Sequence, residues 1–183
     1  MERAAELFAE RGIAATTVDD VLAAAGVGKG QFYHYFRGRD ELAAAAVGYR
    51  CAQVVAGLAE SLGSVSSLAG LEQALAGFVA GFEQTGMPGC PIGTLATEVA
   101  GRNEDARLHA AAGFDAWERL LADALERMRQ RGELRSDAQP AVLATGLLAS
   151  IEGGMVLSQA RKDMASLRIA VEAGLGQVRT YLS

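Results

Sequence analysis

Between residues 25 and 30 the chain reads AGVGKG, with three glycines in six positions. A continuous helix through such a stretch is costly, because each glycine surrenders more backbone freedom than any other residue. On its N-terminal side Val18, Val21, Leu22 and Ala25 follow at i, i+3, i+4 and i+7, and Thr17 stands three residues before Asp20 as in a capping box. On its C-terminal side Phe32 and Phe36 stand four apart, so both face one side of a short helix. The spacing predicts two short helices joined by a tight glycine turn. That is the helix-turn-helix arrangement, in which the second helix lies in the DNA major groove and the first braces it.

The rest of the chain reads as helix too, with no alternating stretch long enough for a strand, so the class is all-α. A first helix runs to about Arg11 with Ala4, Leu7 and Phe8 on one face and Gly12 as its stop. A longer helix opens on Asp40 and Glu41, favourable at the positive end of a helix dipole, and runs to about Leu62. After the linker GSVSS, two amphipathic stripes follow: Leu71, Leu75, Phe78, Val79 and Phe82, then Phe114, Trp117, Leu121, Leu125 and Met128. Between them TGMPGCPIGT reads as a loop, since Pro88 and Pro91 forbid a regular helix through it. The segment from Pro140 to about Arg161 is apolar almost all round, with Glu152 as its one charge before the last residue. It needs cover on more than one side. The final helix carries Leu167, Val171, Leu175, Val178 and Leu182. The expected organisation is a three-helix helix-turn-helix domain over residues 1–47 and a larger helical bundle over 48–183.

Charge and composition exclude several classes. Two cysteines, Cys51 and Cys90, and two histidines, His34 and His109, give no disulfide framework and no metal-ligand spacing. No Ser-His-Asp pattern, phosphate loop or paired carboxylate is visible, so no catalytic residue, metal or cofactor is expected and the chain does not read as an enzyme. No uninterrupted apolar run reaches the ~18 residues of a membrane span, and acids occupy the N-terminal stretch where a secretory signal has its apolar core. A cytoplasmic protein with no membrane partner is expected. The net charge of −5 is not that of a generally basic nucleic-acid binder. Yet residues 26–39 hold Lys29, Arg37 and Arg39 and no acid, so an anionic partner would meet that segment.

With Phe32 and Phe36 turned inward, Gln31, Tyr33 and His34 are forced outward. Gln31 can read adenine through two hydrogen bonds, and Tyr33 can reach a phosphate or a thymine methyl. Lys29 and Arg39 can meet phosphates on either side, as can the free N–H groups at the start of the second helix.

Residues 3–47, which include AAELFAERGIAATTVDDVLAAAGVGKGQFYHYFRGRDEL, resemble the N-terminal domain of TetR-type transcriptional repressors, in the order and spacing of the pattern LF…G…TT…IA..AGVS.G..Y.HF..K..L. The resemblance implies a homodimer that binds a palindromic operator and leaves it when a small molecule enters the C-terminal bundle. By position, Thr17, Lys29, Gly30, Gln31, Tyr33, His34 and Arg39 match family positions that touch DNA. Three features depart from the family pattern. Met1 falls inside helix one, where relatives usually carry a short basic flank. Gly28 replaces the usual Ser or Thr, and Asp19 and Asp20 add negative charge near the DNA face. Further on, GCPIGTLATE resembles a branch containing flavonoid- and drug-responsive repressors.

In such a bundle the expected effector is small and apolar or aromatic, lined by Phe78, Phe82, Leu95, Phe114, Trp117, Leu121, Glu152 and Met155. The expected dimer interface is Leu147, Ile151, Leu167, Val171, Leu175 and Val178, because an isolated bundle of this size has two apolar surfaces to hide. The competing reading is a helical small-molecule-binding protein whose DNA-binding domain is vestigial, as the acid excess of the first fifty residues suggests.

Overall fold

The computed structural model describes residues 1–86 and 89–183; Pro88, one of the two expected helix breakers, lies outside them. Among the described residues the elements are α1 (Glu2–Arg11), α2 (Val18–Ala25), α3 (Lys29–Tyr35), α4 (Arg39–Leu62), α5 (Leu68–Gln84), α6 (Pro91–Val99), α7 (Glu104–Gln130), α8 (Pro140–Arg161) and α9 (Ala165–Arg179). The chain divides into two compact units, residues 1–54 with 91–114, and residues 55–90 with 115–183. The first therefore takes in α6 and the start of α7 as well as the expected helix-turn-helix.

In the first unit the core is Ala4, Leu7, Phe8, Val21, Leu22, Phe32, Leu42, Ala43 and Ala46, with Ile13, Val18, Val27 and Phe36 packed at its edge. Thr17 caps α2 in a full capping box: the Asp20 N–H donates to Thr17 Oγ1 at 3.1 Å and the Thr17 N–H donates to Asp20 Oδ2 at 2.9 Å. Gly26 ends α2 in the left-handed region at φ 67°, which a side chain adopts only under strain. The expected loop from Thr85 to Thr94 is cut short, because α6 begins at Pro91. Proline at a first helical position loses no intrahelical hydrogen bond, so Pro91 starts a helix where it was expected to forbid one.

In the second unit α8 and α9 form a hairpin of unusually close approach. A Cβ at Gly174 would sit 2.6 Å from Leu147 Cδ1, and one at Gly154 would sit 2.9 Å from Leu167 Cα. The Leu167 N–H donates to the buried Ser158 Oγ at 2.9 Å, which fixes the start of α9 against α8. The α9 helix stops at Arg179, so Leu182 lies beyond it, in an isolated bridge to Leu134. All six residues expected at a dimer interface, Leu147, Ile151, Leu167, Val171, Leu175 and Val178, are buried within the protomer. The two apolar stripes cover each other, and what α8 and α9 leave outside is Val142, Val156, Leu157 and Ile169, the last 69% exposed.

The α4 and α8 helices are long and apolar enough to cross a membrane by length and composition, a property hidden from a search for uninterrupted apolar runs. Here α4 buries Leu42, Ala43, Val47 and Cys51, and α8 buries Leu143, Leu147, Ile151 and Met155, as core helices do.

Candidate nucleic-acid interface and effector site

The α3 helix has one anchored face and one free face. Phe32 is 5% exposed and packs its ring against Phe36 at 5.5 Å, whereas Gln31, Tyr33, His34 and Tyr35 are exposed, Tyr33 at 62% and Tyr35 at 67%. The Tyr33 ring meets the Phe32 ring edge-on at 5.0 Å, and the His34 and Tyr35 rings meet edge-on at 4.9 Å. Tyr35 was not among the expected site residues. Its signal was present in the spacing, since three consecutive positions between Phe32 and Phe36 must all turn away from the core.

Around α3, Lys29 and Arg39 are already engaged. Lys29 Nζ lies 3.1 Å from Asp19 Oδ1, an exposed ion pair between the first residue of α3 and the first turn of α2. Thr17 donates its hydroxyl proton to Asp20 Oδ2 at 2.5 Å while accepting from the Asp20 N–H, so its polar capacity serves the cap. The two hydrogen bonds from Thr17 hold the Asp20 carboxyl below the usual carboxylate range. Arg39, expected on a phosphate, donates instead to the carbonyls of Thr16 at 3.0 Å, Ala14 at 2.9 Å and Ile13. It fastens the turn between α1 and α2.

Two residues outside the expected site complete that fastening. Glu98 of α6 accepts from the Ala14 N–H at 2.8 Å, and Asn103, just before α7, donates to the Asp40 carbonyl at 2.8 Å while accepting from the Ala106 N–H at 2.9 Å. The polar groups of residues 13–16 are thus taken from one side by a guanidinium and from the other by a carboxylate. No local pattern could have shown this, since 84 positions separate Glu98 from Ala14.

Gly28 and Gly30 differ from Gly26 in backbone and not in space: a Cβ at any of the three would meet nothing within 4 Å, and only Gly26 has a positive φ, so neither packing nor a left-handed backbone requires glycine at 28 or 30. Their bareness leaves backbone open at the start of α3.

The residues expected to line an effector pocket fall into both units. Leu95 and Phe114 belong to the first, where Leu95 is buried and Phe114 half-buried. In the second, Phe82, Trp117, Leu121 and Met155 are buried, Phe78 and Glu152 are half-buried, and the Phe78 and Trp117 rings lie 5.6 Å apart. Burial raises the Glu152 carboxyl above its usual value, and a hydrogen bond with Cys90 offsets this in part. A separate groove of about 520 Å³ runs between α5 and α9 over Ala76, Val79, Val171 and Leu175. Arg168 with Glu83 flanks it at 2.8 Å and Arg179 with Glu72 at 2.7 Å.

Comparison with known proteins agrees with this architecture. Residues 1–46 match the bacterial regulatory proteins of the tetR family, and residues 67–173 match the C-terminal domain of LmrA/YxaF-like transcriptional regulators. The HTH-type transcriptional regulator Rv0196 of Mycobacterium tuberculosis is 32% identical over 180 residues, spanning 90% of this chain and 84% of its own. YxaF of Bacillus subtilis is 29% identical over 175 residues, spanning 94% and 89%. Among solved structures, the regulatory protein TetR from Rhodobacter sphaeroides superposes with a TM-score of 0.78 at 26% identity, covering 99% of this chain and 96% of that one. An N-terminal helix-turn-helix domain followed by a helical C-terminal domain is what these comparisons match along the chain, and the chain belongs to the TetR family of DNA-binding transcriptional regulators rather than to any family of enzymes.

Proposed function

We propose that the protein is a homodimeric repressor that places α3 of each protomer in successive major grooves of a palindromic operator and releases it when a small apolar or aromatic effector binds the second unit. The observation that carries the reading is the free face of α3. Gln31, Tyr33 and His34 stand exposed on a helix whose Phe32 is anchored, and apart from the edge-on ring contacts of Tyr33 with Phe32 and of His34 with Tyr35 their faces are turned to the outside. The bare backbone at Gly28 and Gly30 adds room for a phosphate to approach. Lys29 reaches a phosphate by exchanging Asp19 for it. Thr17 and Arg39 act on DNA through the turn they hold.

The second copy of the chain covers the outward faces of α8 and α9. Val142, Val156 and Ile169 form apolar surface there, and small residues such as Ala149, Gly153 and Ala173 let helices approach closely. A repressor of this kind works in the cytoplasm, where its operator is.

Binding-site selection from random duplex DNA tests the reading, followed by titration of the selected site at two salt concentrations. A palindrome lost with Tyr33→Ala supports it. The Asp19–Lys29 pair, with the acid excess of the first fifty residues, favours a vestigial DNA-binding domain, and Lys29→Ala separates the two readings. On a working interface the variant weakens binding to all sequences and lowers the salt slope by about one per half-site. On a vestigial one it changes nothing.

A further inference from the structure

Glu152 is the single charge in α8 before Arg161, and its neighbours Ile151 and Met155 are 0% and 2% exposed. Its Oε1 is fully buried and has no hydrogen-bond partner among the described residues. Among the described residues the Cys90 thiol is the group that reaches the carboxyl, and a thiol is a weak donor that can serve only part of what a carboxylate accepts. The backbone holds this arrangement tightly. Gly89 sits at φ 84°, and a Cβ there would lie 2.8 Å from Gln159 Oε1, so the chain at 89–90 runs directly against α8.

A buried carboxyl with an unused oxygen destabilises the folded chain, and replacing such a group by an apolar side chain is commonly neutral or stabilising. Buried polar groups are nearly always hydrogen-bonded, so an oxygen left unserved calls for a donor. Among the described residues the protein supplies none to Oε1. An anion is excluded, because it would add like charge beside a carboxylate in a poorly hydrated place. A wholly apolar molecule would leave the oxygen as it is.

We propose that Glu152 is the polar recognition point of the effector site, and that the effector is an apolar or aromatic molecule carrying an O–H or N–H donor, a hydroxyl or an amine, and not a carboxylic acid. The proposal rests on the effector-responsive reading above and adds the chemical class of the effector. Glu152 accepts the donor at Oε1 while Cys90 keeps its hydrogen bond to the carboxyl. Apolar residues of the second unit, Met155 and Trp117 among them, supply the area that gives affinity, and the carboxyl supplies discrimination.

The test uses two aromatic frames, phenylpropyl and naphthylmethyl, each as alcohol, amine, methyl ether and carboxylate. Binding is followed by calorimetry and by the emission of Trp117, the only tryptophan. The alcohol or the amine is expected to bind about tenfold or more tighter than the ether and the carboxylate, and which of the two leads identifies the donor. In Glu152→Leu the preference disappears while the melting temperature stays level or rises; Glu152→Gln, which keeps an acceptor oxygen, retains part of the preference for the alcohol. Equal or absent binding of alcohol and amine relative to the ether overturns the proposal, as does a Glu152→Leu protein that melts several degrees lower, since that would give the carboxyl a structural partner. Operator affinity measured on the same preparations separates the two readings: intact DNA binding without donor preference sinks this proposal alone, and absent DNA binding sinks the repressor.

Discussion

A methyl group added at Gly28 or Gly30 would meet nothing within 4 Å, whereas at Gly174 it would press to 2.6 Å from Leu147 Cδ1. Gly28 and Gly30 sit at the junction of α2 with α3, and Gly174 in the hairpin of α8 with α9. In the α8–α9 hairpin glycine is consumed by the protomer itself, letting two apolar helices close on each other until Leu147, Ile151, Leu167 and Val178 are each 0% exposed. In the α2–α3 hairpin glycine leaves space unfilled on the outside. The comparison teaches where to look for function in a helical chain: an apolar stripe that finds its complement in the same protomer is spent on folding, and a polar or bare face with no complement remains available.

Several changes test that contrast. The largest effect is expected from Phe32→Ala, which empties the small core of the first unit and should cost about 3–5 kcal/mol in urea unfolding. Its neighbour Tyr33→Ala should stay within about 0.5 kcal/mol of the parent while removing operator binding. Equal losses at the two positions would erase the distinction between anchored and free faces. Next, Gly174→Val should destabilise by about 2–3 kcal/mol through overpacking, while Gly28→Ala leaves the melting temperature unchanged and weakens DNA binding. A smaller effect, about 1–2 kcal/mol, is expected for Glu98→Ala, which orphans the Ala14 N–H, and Arg39→Ala should fall in the same range. Both should reduce operator affinity uniformly, without changing the selected sequence.

The smallest effects are in pH dependence, and they have opposite signs in the two units. Thr17 lowers the Asp20 carboxyl, so the folded state binds its proton less readily than the unfolded chain does. That stabilisation is complete above the ordinary carboxyl value and is lost as pH falls through the lowered one. Burial raises the Glu152 carboxyl, so the folded state keeps that proton longer, and stability declines as pH climbs from the ordinary value through the raised one. Melting curves across the acid range should show Asp20→Asn flattening the acid limb and Glu152→Gln flattening the decline above it. A Glu152→Gln profile parallel to the parent's would mean that the carboxyl is solvated.

Local features were legible in the sequence because their causes are local. The capping box at Thr17, the turn at Gly26, the inward Phe32 and the outward Tyr33 follow from spacing and backbone preference within a few residues. Pro91 was misjudged because the same side chain breaks a helix from inside and starts one from its end, and only the position of the helix decides which. The stripes of α8 and α9 were legible as apolar, but periodicity shows that a face is covered and not what covers it. Arg39 makes the same point. A guanidinium that meets a phosphate and one that ties down three carbonyls have the same sequence, and the carbonyls lie 23 to 26 positions away.

The ion pair between Lys29 and Asp19 bears on how such a protein finds its site. On the proposed interface, a lysine that must leave its own carboxylate before it can touch a phosphate gains less from any stretch of DNA than a free lysine does. Sequence-independent attraction is weakened everywhere, and the contacts made by Gln31, Tyr33 and His34 on the operator are not. A protein with net charge −5 therefore lingers less on the millions of wrong sites in a chromosome. On the proposed interface the acid beside α3 would shorten the search, acting as a resident decoy that only the right sequence, through its bases, compensates.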